Sequence, residues 1–248
     1  MGSGSGGGGG GGSGGATGGG GKGYGGYRTS GGRLIVQNVD AQEKAKAVRR
    51  VLKKLRSEYL QEQFVDSSAR EVYRELSLLN VGLCLDRSWN GIRDRFGVDG
   101  GRGCLTKLIA AIMNRLEATD RNKKSRAFVR MALENFLLRA MGDDPKLLLS
   151  ATADEAIKAI DAGVFEHASG LFLGDLLYEV VRGEERALPA EVKAGLRPVV
   201  QARADSIVAD FEARFRGKPL GKIEQVSHRN LFDVIASQKD WFLDQLRK

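Results

Sequence analysis

Beyond residue 40, apolar residues recur at three- and four-residue steps through most of the chain, a spacing that predicts helices rather than strands. Val48, Leu52, Leu55 and Tyr59 mark the first stripe. Asp40 stands three residues before Glu43 in the relation of a capping box, with Val39 as its hydrophobic staple. Together they predict one amphipathic helix over roughly 41–64. Its other face carries Lys44, Lys46, Arg49, Arg50, Lys53, Lys54 and Arg56. Just upstream, Leu34, Ile35 and Val36 form a short apolar run, read either as a strand or as the first contact of the emerging chain, with no clear strand partner nearby.

The same grammar continues downstream. Asp66 or Ser67 caps a second helix through Val72, Leu76 and Leu79, and Asn80 and Gly82 weaken its pattern without clearly ending it. The stretch DRSWNGIRDRFGVDGGRG, from Asp86 to Gly103, reads as loop-rich or as holding a short broken helix. A stronger helix then starts near Cys104. Asp120 caps the next, whose wide apolar face of Phe128, Met131, Leu133, Phe136, Leu137 and Met141 closes at Gly142, with Pro145 as a stop. Ser150 or Thr152 starts a short helix ending near Gly163, and Leu171 to Val180 mark another ending near Gly183. Pro189 suits a first turn, Pro198 interrupts or restarts that helix, and Ile207, Val208, Phe211 and Phe215 carry it on to Gly217. Ser227 caps a final helix through Leu246. The expected fold is all-α, a multi-helix bundle of about seven to nine helices, with a split into two subdomains near 142–150 left open.

Composition changes this picture chiefly at the front. Residues 1–32 hold 20 of the 34 glycines and read as a disordered Gly/Ser-rich tail, leaving 33–248 as the helical domain. The net charge of +8 is unevenly spread. Residues 33–56 carry eight Lys/Arg against two acids and residues 86–140 carry twelve against six, while 141–248 carry fifteen against eighteen. Positive potential is therefore expected on the first half of the folded region.

Candidate chemistry is sparse. Cys84 and Cys104 form no C-x-x-C pair and have only His167 and His228 as imidazole company, which excludes an ordinary structural zinc site; no metal or cofactor is expected. The glycine cluster from Gly97 to Lys107 fails the phosphate-loop spacing, because Arg102 stands where the second glycine belongs. Gly101, Arg102 and Gly103 still offer amides and a guanidinium to an anion, although a plain interhelical loop is the simpler reading. Glu166 and His167 point in different radial directions on a helix, so they make no catalytic pair, and no catalytic residue is assigned. There is no secretory signal pattern and no apolar run of about eighteen residues, so a cytoplasmic, non-membrane protein with free thiols is expected. The best physical candidate is a basic surface: Arg49, Arg50, Lys53 and Lys54, together with Arg121, Lys123, Lys124 and Arg126, in position to meet a partner or nucleic-acid phosphates.

The tail fails the myristoylation pattern because Gly6 stands where Ser or Thr is required, yet loss of Met1 before Gly2 would expose a glycine amine on a long arm. Met1, Gly2 and Ser3, then a Gly/Ser-rich arm, then a helical domain of this size, resemble in layout the QatB-like components of bacterial antiphage defence systems. The resemblance covers organisation and no internal motif, and the purity of the glycine run departs from it. It implies a non-enzymatic component whose Gly2 terminus is presented to a QueC-like enzyme, with an ATPase and a nuclease as further protein partners. The alternatives are a nucleic-acid-binding accessory protein that uses the basic helix face, and a cryptic hydrolase or nuclease.

Overall fold

A computed structural model describes residues 32–65, 68–117, 123–184, 192, 195–215 and 231–248, with the side chains of 32–40, 117, 123 and 124 outside that description. Every element is helical, and no strand occurs among the described residues, as the periodicity predicts. The tail over 1–31, the caps assigned to Asp66, Ser67, Asp120 and Ser227, and Pro189 and Gly217 lie outside the described residues.

The expected first helix is in fact two. Helix α1 (Gly32–Lys54) takes in Leu34, Ile35 and Val36, and α2 (Ser57–Phe64) follows a bend at Leu55 and Arg56. Arg56 is extended, with φ −65° and ψ 149°. Near the C-terminus, the Arg247 guanidinium donates to the Leu55 carbonyl at 3.2 Å and to Ser57 Oγ at 2.9 Å, so the break has a partner for its freed carbonyl. The stripe of Val48, Leu52, Leu55 and Tyr59 could not show this, because both sides of the bend pack into the same core.

Helix α3 (Ser68–Leu79) passes into a π-helical segment, Asn80–Leu85, which accounts for the weakened pattern at Asn80 and Gly82. Helix α4 (Asn90–Phe96) is the short helix of the loop-rich stretch, and α5 (Cys104–Glu117) and α6 (Lys123–Ala140) are the two long helices that follow. Pro145 starts an element instead of stopping one: it opens α7 (Pro145–Ser150), whose N-cap Asp144 accepts from the Lys146 amide at 2.8 Å. Thr152 and Glu155 form a reciprocal capping box on α8 (Ala153–Ala159). That helix stops before Gly163, because Asp161 caps a further turn, α9 (Ala162–Glu166).

Helix α10 (Ala168–Gly183) is the centre of the molecule, buried along nearly its whole length and clasped between α6 and α11 (Leu196–Phe215). A Cβ at Gly174, on the face turned to α11, would displace the end of the Gln201 side chain. Gln201 Nε2 in turn donates to the Gly170 carbonyl at 3.0 Å. Pro198 lies in the first turn of α11 and leaves that helix uninterrupted, because a first-turn residue needs no intrahelical amide donor. The final helix is two short ones, α12 (Leu231–Ser237) and α13 (Lys239–Arg247), parted at Gln238. Aromatic pairs stitch the C-terminal helices onto the first ones: Phe64 with Phe242 at 5.9 Å, Tyr73 with Phe232 at 5.1 Å. One continuous buried cluster takes residues from both sides of 142–150, including Phe136 and Phe172.

Candidate docking face on the first helix

On α1, Val48, Val51 and Leu52 are buried, while Arg49, Arg50, Lys53 and Lys54 are exposed. At 100° per residue the four cations occupy one continuous arc and the apolar side chains the opposite one, as the spacing requires. Lys53 and Lys54 fall in the last turn of α1, where they also complement the helix dipole. That explains two of the four cations; Arg49 and Arg50 lie a turn earlier.

None of the four has a carboxylate partner among the described residues. Some surface cations elsewhere are paired, as where Arg70 and Arg74 share Asp233 at 2.7 and 3.0 Å, Arg95 meets Glu75 at 2.7 Å and Arg130 meets Glu134 at 2.9 Å. Arg87, Arg102, Lys146, Lys158 and Arg214 stand exposed without an ion pair among the described residues, but scattered over separate elements. Beside the α1 row runs a mostly apolar groove of about 460 Å³ between α1 and α11, with Ala45, Val48, Leu52, Val199 and Ala202 among its walls. Arg49 and Arg203 line it too. Arg203 donates one N–H to the main-chain carbonyl of Gln245, and its Nε is buried with no acceptor. Burial, and after it the like charge of Arg49, lower the Arg203 pKa from its ordinary value, with Asp210 offsetting part of the effect.

Of the four cations of the second basic stretch, only Arg126 has a described side chain. Arg126 is half-buried on α6, and the neighbouring Ser125 Oγ donates to the Glu62 carbonyl at 3.3 Å, which places the start of α6 against α2. Lys123 and Lys124 belong to the first turn of α6, their side chains not described, and Arg121 and Gly2 lie outside the described residues.

The glycine cluster is taken up structurally. In the glycine cluster the amides of Gly103 and Cys104 donate to the Ala151 carbonyl at 3.0 and 3.3 Å, the Gly100 carbonyl accepts from the Ala153 amide, and Lys107 pairs with Asp99 at 2.9 Å. The cluster is a joint between α5 and the α7–α8 turn. Burial raises the Cys84 pKa and pushes the Cys104 thiol up to about 11, so both thiols stay protonated at neutral pH. His167 is exposed between α9 and α10, and His228 lies outside the described residues. No group of three or more potential metal ligands occurs among the described residues, and no described helix is long and apolar enough to cross a membrane.

Sequence reasoning missed a charged cluster inside the core. Asp175 and Glu179, 1% and 2% exposed, lie one turn apart on α10. Asp175 Oδ1 accepts from Arg139 of α6 at 2.8 Å and from Arg197 of α11 at 2.5 Å, and Glu179 accepts from Asn135 at 2.9 Å and pairs with Arg182 at 3.4 Å. Arg197 also lies over the Tyr178 ring at 4.2 Å. Burial raises the Asp175 pKa to about 6 despite both arginines. The signal was present in LFLGDLLYEVV: two acids one turn apart in an otherwise apolar helix must find cations inside the fold. With Arg139 and Arg197 on separate helices, the cluster is a strut that ties α6 and α11 to α10.

Comparison with protein-family models, with curated proteins and with solved structures finds no match to this chain. The functional reading therefore rests on the geometry above and on the resemblance in layout.

Proposed function

We propose that this chain is a non-enzymatic, cytoplasmic helical component of a bacterial multiprotein antiphage defence system, which docks onto an anionic protein partner through α1 and presents its N-terminal arm to a second. The observation that carries the docking half is the row of Arg49, Arg50, Lys53 and Lys54, four exposed cations gathered on one face of α1 without a carboxylate partner among the described residues. Four unpaired cations on one face raise the encounter rate with an acidic surface and give register to the complex. The presented arm is supported only by the layout of Met1, Gly2 and Ser3 ahead of the glycine run.

The chain is to be co-expressed with the products of the genes beside its own. Co-purification of one of them, with an added mass on Gly2, supports both halves; an unmodified terminus together with full function of a tail-deleted protein removes the arm from the account.

A second reading, favoured by the same cations, is binding of nucleic acid. It requires affinity for a labelled duplex that falls steeply with salt, because displaced counterions drive such binding. The apolar groove beside the row favours the protein partner, since a phosphate backbone gains nothing from an apolar floor.

A further inference from the structure

We infer that the groove between α1 and α11 seats one short amphipathic helix of an acidic protein partner, with Arg49 and Arg203 clamping a carboxylate at its edge. This names the ligand of the docking face and rests on that reading.

Shape comes first. Ala45 and Ala202 leave open a channel that larger side chains would close, and the wall from Ala41 to Leu52 runs ~16 Å, about three helical turns. A helix laid in such a channel presents apolar residues at i, i+3, i+4 and i+7, which suits the accessible apolar surface of Ala45, Val199 and Ala202 above the buried Val48 and Leu52.

Charge then selects the partner. Arg49 and Arg203 line one groove and repel each other, and no ion pair to a described carboxylate is formed by either. The buried Arg203 Nε has no acceptor. A carboxylate placed between two guanidiniums relieves the repulsion and accepts charge-assisted hydrogen bonds. Residues 1–31 contain Lys22 and Arg28 and no acid, so the chain's own arm has the wrong charge for this place.

The test is selection of binders to the full chain from a displayed library of random peptides of about 15 residues, long enough for four turns. Enriched peptides are expected to carry Asp or Glu around an apolar helical stripe and to bind at least ~10-fold more weakly to Arg49→Glu and to the groove-filling Ala202→Trp, with both variants keeping the wild-type circular dichroism. Selection against Arg49→Glu is expected to enrich basic peptides in their place. The inference is overturned if no such stripe is enriched, if both variants bind equally well, if a DNA duplex displaces the peptides, or if light scattering shows a dimer that Ala202→Trp dissolves. It is also overturned, with the docking reading intact, if reversal of Lys53 and Lys54 abolishes co-purification of the partner while Ala202→Trp leaves it unchanged.

Discussion

Changing pH between ~7.5 and ~4 should reveal Asp175 as a group whose ionised form opposes folding. Three sets of groups face it: Arg139 from α6, Arg197 from α11, and Glu179 one turn along α10. Burial is the largest influence and lifts the pKa to about 6, against ~3.9 for an aspartate in the unfolded chain. The folded protein therefore holds this proton more tightly than the unfolded one. Its contribution is most favourable below pH ~4 and is lost as the pH rises through about 6. A difference of about two units corresponds to ~3 kcal/mol. The assay is urea unfolding at a series of pH values for the wild type and for Asp175→Asn, which keeps an acceptor for the arginines but cannot titrate. Other carboxylates weaken the fold in acid: Asp99 and Glu155 are held below their ordinary values by Lys107 and by the Thr152 amide. The difference between the two proteins is therefore the quantity to read. Wild-type stability should gain on the variant by up to ~3 kcal/mol as the pH falls from ~7 to ~4. Parallel curves would refute the reasoning, as would a gain in the opposite direction.

Two further substitutions test the packing. Gly183→Ala should destabilise by about 1–3 kcal/mol in urea unfolding, because the new methyl meets the Phe128 ring on α6; an unchanged midpoint would show that the ring has room to move. Arg247→Ala should cost about 1–3 kcal/mol by orphaning the Leu55 carbonyl, with faster hydrogen exchange at the α1–α2 bend, and uniform exchange would deny the C-terminal helix its role there.

The amphipathic stripes were legible because each helix buries one face, and the recurrences at Val48, Leu76, Phe136 and Leu176 all lead into the same core. Breaks were less legible where long-range partners make them. Nothing near Leu55 announces that Arg247 waits for its carbonyl, whereas at Pro145 the signal is local, an Asp N-cap followed by a first-turn proline, and reading Pro145 as a stop passes over it. The α1 cations could be read from spacing alone, since exposure follows from lying opposite Val48 and Leu52. Their lack of carboxylate partners could not, because pairing depends on which distant helix packs alongside. Arg203, which completes the groove, lies about 150 residues from Arg49 and becomes its neighbour only through the packing of α11 on α1.

The most direct test of the account is a titration of the co-purified partner against the wild-type chain and against the variant Arg49→Glu, Arg50→Glu, Lys53→Glu and Lys54→Glu, at low and at physiological salt. All four positions are exposed, so the variant should keep its fold. The account predicts a loss of affinity of ~100-fold or more at low salt, narrowing as salt screens the wild-type interaction. Equal affinity of the two proteins for the partner at low salt would contradict it.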